Sequence, residues 1–152
     1  MPGAIVWTVD DLTEGEAAVL AAVRLWFRAG TARTMPAIRA ALGRAGIPGE
    51  ALLPLFAMLG VMAADGTRTM RVEAPAVVRV GADEMAFLEA LGAFQHGEDA
   101  DGMMLLDNWL PLVALCMVSA SARDFGRTLA AAGVFLPFRR GGAAFHPAMA
   151  AE

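Results

Sequence analysis

The chain contains no lysine and no tyrosine. Without lysine there is no phosphate-binding P-loop of the usual kind and no Schiff-base chemistry, and without tyrosine there is no phenolic general acid. All 12 basic residues are arginine, which fits a GC-rich coding bias as well as any functional need. A single cysteine, Cys116, rules out an intramolecular disulfide and points to a reducing, cytoplasmic setting. Two histidines, His96 and His146, leave few catalytic pairings. The stretch Met1–Asp11 carries no basic residue ahead of its short apolar run and does not read as a secretory signal. The longest uncharged apolar runs, Ala51–Ala64 and Trp109–Ala122, are 14 residues each. A membrane span needs about 20. We therefore expect a soluble protein with no membrane segment.

What is abundant is apolar. Hydrophobic residues make up 57% of the 152 residues and charged ones 18%. Soluble domains average about 45–50% and about 25%. That surplus calls for burial beyond one small core, and ten methionines suit an adaptable core or interface. The expected arrangement is one domain and a homodimer.

Periodicity predicts a mainly α fold. Thr13-Glu14-Gly15-Glu16 reads as a capping box opening a helix to about Ala29. Val19, Leu20, Val23, Trp26 and Phe27 form its inner side, with Arg24 and Arg28 on the opposite one. Thr34 and Pro36 start a second helix that Gly46 ends, and a third runs from Glu50 to about Leu59. Leu52, Leu55, Phe56 and Leu59 form the inner face of the third; Ala51, Pro54 and Met58 form an outer face nearly as apolar. Asp65-Gly66 between strand-like runs signals a small β-hairpin, and 76–80 a further short strand. Beyond it we expect a helix from Asp83 to about Gln95 burying Phe87, Leu88, Leu91 and Phe94, then a loop over 97–102. A long apolar helix bent near Pro111 follows over 103–120, then a capped helix bearing Phe125 and Leu129 that ends at Gly133. Residues 139–152 read as a flexible tail.

Three helices followed by a hairpin resembles a winged helix-turn-helix domain. The residues that carry this are the helix pair Met35–Ala45 and Glu50–Leu59, the turn Gly46–Gly49 and the Asp65-Gly66 hairpin as wing. The resemblance covers 13–80, with 83–133 added as a helical half. It implies a third helix in the major groove and a wing on the backbone or minor groove.

Charge is divided in the same way. Residues 24–80 hold eight arginines and three acids, so 8 − 3 = +5; residues 83–107 hold seven acids and no Arg, so −7. The basic half suggests phosphate contacts through Arg33, Arg39, Arg44, Arg68 and Arg71. The competing reading is that these arginines are solvated or pair with the acidic half. The third helix offers no base-reading side chain, only Glu50, so any DNA binding is expected to be weak and not sequence-reading. Its apolar outer face suits a protein contact, with Pro54, Met58 and Trp109 as interface residues.

No metal, cofactor or catalytic pattern is found. His96-Gly97-Glu98-Asp99-Ala100-Asp101 matches neither a zinc site nor an EF-hand and reads as a solvated junction. Cys116 is expected to be buried and inert on its apolar helix, and His146 to lie in the tail. The leading expectation is a non-catalytic regulatory or protein-interaction module. The alternatives are a DNA-binding transcriptional regulator, and a small ligand-binding domain or enzyme whose pocket the sequence does not display.

Overall fold

The computed structural model describes residues 6–29 and 31–139. They form six α-helices: α1 (Glu14–Ala29), α2 (Thr31–Arg44), α3 (Leu52–Asp65), α4 (Ala82–Gln95), α5 (Asp99–Leu106) and α6 (Leu112–Ala131). Short 3-10 turns occupy Val9–Asp11 and Gly49–Ala51. The chain is mainly α, and no helix among the described residues is long and apolar enough to cross a membrane.

The centre of the fold is α4, buried at every position from Phe87 to Phe94. A helix apolar on all sides needs neighbours on all sides. They are α1, α5 and α6; α2 packs on the outer side of α1, and α3 on α6. The Thr13–Glu16 capping box forms, with the Glu16 N–H donating to Thr13 Oγ1 (3.2 Å) and the Thr13 N–H to Glu16 Oε1 (3.0 Å). It satisfies donors that the first turn of α1 would otherwise leave orphaned.

The β-hairpin does not form, and no strand occurs among the described residues. Leu55, Met58, Leu59 and Met62 recur at helical spacing and are all buried, so α3 continues to Asp65. Burial along this stripe outweighs the local turn preference of Asp-Gly. Gly66 has φ −66° and ψ 140°, an ordinary extended backbone rather than the positive φ of a primed turn. A Cβ at Gly66 would overlap the Met62 carbonyl oxygen, so close approach accounts for the glycine. Residues 66–81 then run without regular structure to α4. The strand expected over 76–80 is reduced to one antiparallel bridge, Thr8 with Arg79. Beside it the Val9 N–H donates to Val78 O and the Val80 N–H to Trp7 O, both at 2.8 Å.

Further expectations change in the C-terminal half. The loop over 97–102 is largely the start of α5, and the bent helix over 103–120 is two helices separated by 107–111. The separate capped start expected for the helix bearing Phe125 and Leu129 is not used, because α6 runs unbroken through it. After Gly133 (φ +80°) the chain returns across α4. Gln95 holds it there: its Oε1 accepts from the Leu136 N–H (2.6 Å), and its Nε2 donates to Gly126 O (3.1 Å) and Val134 O (2.9 Å). Gly92 permits the crossing, since a Cβ there would overlap the Pro137 carbonyl. Arg139, expected to begin a flexible tail, is instead bonded to the buried Glu16 carboxylate. Residues 140–152, with His146, lie outside the described residues.

Candidate functional site

The five arginines expected to meet phosphate lie on two parts of the chain, three on α2 and two on the segment before α4. Arg33, Arg39 and Arg44 are exposed on α2 and form no ion pair among the described residues. At ~100° per residue, Arg33 and Arg44 share a side of the helix while Arg39 lies roughly 120° away. Arg68 is paired with Asp83 (3.0 Å) and lies over the Trp109 ring at 4.7 Å. The Arg71 N–H donates to the same Asp83 carboxylate (2.8 Å). Burial pushes Asp83 upward, but the Arg68 hydrogen bonds and the Arg71 N–H outweigh it and hold the group below the ordinary range.

Arg24, expected on the outer side of α1, is buried and bidentate to the buried Glu84. Its Nε donates to Oε2 (2.7 Å) and its Nη2 to Oε1 (2.9 Å), while further N–H groups cap the carbonyls of Val77 and Arg79. Arg79 reaches Glu73 at 3.4 Å. Three of the eight arginines of the basic half, Arg24, Arg68 and Arg79, are therefore matched by the carboxylates of Glu84, Asp83 and Glu73.

Two of the three expected interface residues lie inside the chain's own core. Met58 and Trp109 are almost fully buried, and Pro54 is half-buried. The apolar surface sits elsewhere, on α6. Leu112, Val113 and Met117 are 72%, 74% and 52% exposed. Between them lies Cys116, which is exposed and not buried as expected. Positions 112, 113, 116, 117 and 120 share one side of a helix, and the other side, through Ala114, Leu115, Val118 and Ala122, enters the core. Leu53 on the adjoining α3 is also exposed, as is Met104 on α5.

A second feature was not anticipated. A cleft of about 550 Å³ lies between α4 and the two extended segments joined at the Thr8–Arg79 bridge. Met85, Ala86 and Glu89 line it from successive turns of α4; Trp7 and Val80 line it from the extended segments, with Arg71 and Arg79. Glu89 is 4% exposed, and its Oε1 has no hydrogen-bond partner among the described residues. Burial, partly offset by the positive charge of Arg139 and reinforced by Glu16, pushes Glu89 up to about 7. The charged neighbours are themselves bonded to each other, as Arg139 is engaged with Glu16 and its guanidinium stands 4.9 Å over the Trp7 ring. The available sequence signal was that Glu89 is the one charged residue between Met85 and Phe94.

No group of His, Cys, Asp and Glu among the described residues could hold a metal ion. His96 Nε2 is 2.8 Å from Leu136 O, and its ring stacks on Phe138. No family model matches the chain, and neither a curated protein nor a solved structure matches it.

Proposed function

We propose that the chain is a non-catalytic interaction module that associates with a second copy of itself through the outer face of α6. The observation that carries this reading is the exposed run of Leu112, Val113, Cys116 and Met117 on one helical side. Covering an apolar side chain of this size is worth about 1.5–3 kcal/mol when it begins fully exposed. Three from each of two partly exposed sets give on the order of 10 kcal/mol, comparable with the ~4–15 kcal/mol cost of association. That balance suits a reversible dimer. An antiparallel pairing centred near Cys116 brings the Arg127 end of one α6 over the α5–α6 turn of the other, where Asp107 is exposed.

The phosphate-binding alternative keeps the exposed Arg33, Arg39 and Arg44, which are spread around α2, and supports at most weak, salt-sensitive retention on duplex DNA. The winged-helix resemblance retains its order of three helices, without the wing.

Sedimentation across micromolar concentrations tests the dimer. Val113→Asp and Met117→Glu change exposed positions and should weaken association at least ~10-fold with helical content unchanged, since each sets a charge in the contact. Mild oxidation should cross-link Cys116 to its counterpart. A monomer at every concentration, or a dimer indifferent to both substitutions, overturns the proposal.

A further inference from the structure

The cleft beside α4 has a chemistry of its own and does not depend on the α6 contact. We propose that it binds an organic cation, a primary ammonium carried on an aromatic or aliphatic body, with Glu89 as its counter-ion.

The argument begins with the buried oxygen. A carboxylate accepts hydrogen bonds through two oxygens and donates none when ionised. Buried polar atoms are nearly always partnered, and a buried acceptor without a donor is costly. Glu84, five residues earlier on the same helix, accepts from Arg24, Gly81 and Glu73. Glu89 Oε1 accepts from nothing among the described residues, and Glu89 lines a cleft large enough for a small organic molecule.

The charged groups around Glu89 come from every element packed near it. Glu16 of α1 and Arg139 of the C-terminal segment bond to each other. Arg79 and Glu73 of the extended segment form a pair, and Asp83 of α4 holds Arg68 and the Arg71 N–H. At the rim the Arg79 guanidinium is paired with Glu73 and the Arg71 charge acts on Asp83, and the inner end carries a carboxylate with an oxygen that accepts no hydrogen bond among the described residues. A ligand ammonium supplies up to three donors and the compensating charge. Met85, Ala86, Val80 and the Trp7 ring provide apolar wall for its body. An anion would find the Arg79 charge already opposed by Glu73 at the rim and Glu89 repelling it within.

Binding requires Glu89 to be ionised, so a bound cation draws its proton off. Because Glu89 in the unliganded chain titrates at about 7, the affinity falls as pH falls through that value.

Phenethylammonium chloride is a suitable probe, with phenethyl alcohol as the neutral control, titrated into the full chain by calorimetry and amide NMR. The ammonium should bind saturably near pH 8, shifting the Trp7 indole and the α4 amides from Met85 to Glu89. A group titrating near 7 goes from roughly nine-tenths to one-tenth ionised between about pH 8 and about pH 6, so the affinity should drop about tenfold over that interval. Glu89→Gln should weaken binding about tenfold or more at the higher pH and abolish the pH dependence, while leaving the sedimentation behaviour unchanged. The alcohol should bind at least ~10-fold more weakly, as a ligand lacking the charge. The wild-type pH profile carries the test by itself if the variant folds poorly. Lack of saturation by the ammonium, a pH-independent affinity, equal binding to Glu89→Gln, or shifts confined to other surfaces would overturn the proposal.

Discussion

Glu84 and Glu89 stand on the same helix, both almost wholly buried, and their acidities move in opposite directions. For each, loss of water is the largest influence and raises the pKa. At Glu84 the Arg24 guanidinium and the N–H groups of Gly81 and Glu73 more than reverse it, and the group is held below the usual range. At Glu89 the Arg139 charge reverses little, because that guanidinium is bonded to Glu16, and the group rises to about 7. Burial by itself does not fix the state of an acid. The donors that follow it into the interior do: Glu84 is a structural anchor, whereas Glu89 keeps an oxygen without a donor among the described residues.

The sharpest way to break the contrast is Glu84→Ala. It leaves Arg24 buried without its counter-charge and strands the Gly81 and Glu73 donors, and should cost about 3–5 kcal/mol in urea unfolding. The second test is the pH dependence of stability at Glu89. Between the unfolded value of 4.5 and about 7, the folded chain keeps a proton that the unfolded chain has released. Stability from this group is therefore lost as pH rises through that window, by on the order of 3 kcal/mol. Glu84 contributes with the opposite sign, as its stabilisation is lost when pH falls below the ordinary glutamate range. Subtracting the Glu89→Gln profile from the wild-type profile isolates Glu89; a flat difference between those pH values would overturn the contrast between the two acids. The smallest effect belongs to Arg68→Ala. Its pair with Asp83 is partly exposed, and solvent screening limits the loss in the same urea measurement to about 1 kcal/mol or less.

The helices were largely legible because their signals are local. The Thr13–Glu16 box, the buried positions of α4 and the stop at Gly133 can each be read within a few residues. The Asp65-Gly66 turn fails for the same reason: a dipeptide preference is local, and the Met58–Met62 stripe that extends α3 outweighs it. Helical spacing puts Arg24 on the outward side because it cannot show that carbonyls from residues 77 and 79 need donors at that position. The face on α6 was half visible. Its uncharged run is plain in the sequence, but which side enters the core depends on α3 and α4, so the run alone does not show that Cys116 lies outside and Met58 inside. Glu89 is one of seven acids over 83–107; its apolar sequence neighbours set it apart, and the fold adds that it is buried beside a cleft.

The Gln95 side chain carries a consequence for motion. Its three hydrogen bonds tie α4 to the end of α6 and to the returning C-terminal segment, and Arg139 fastens that segment again at Glu16. Detaching Leu136 releases the Gln95 amide, and the residues beyond it up to Arg139 then have little reason to stay. Residues 134–139 should accordingly open as one cooperative unit, with a shared exchange rate for their amide hydrogens, rather than fray one residue at a time. Because Arg139 leaves with that unit, each opening removes a positive charge that is bonded to Glu16 and acts on Glu89. The ionisation of a helix-bound acid and the lifetime of a strap more than forty residues away in sequence are thereby set by one equilibrium.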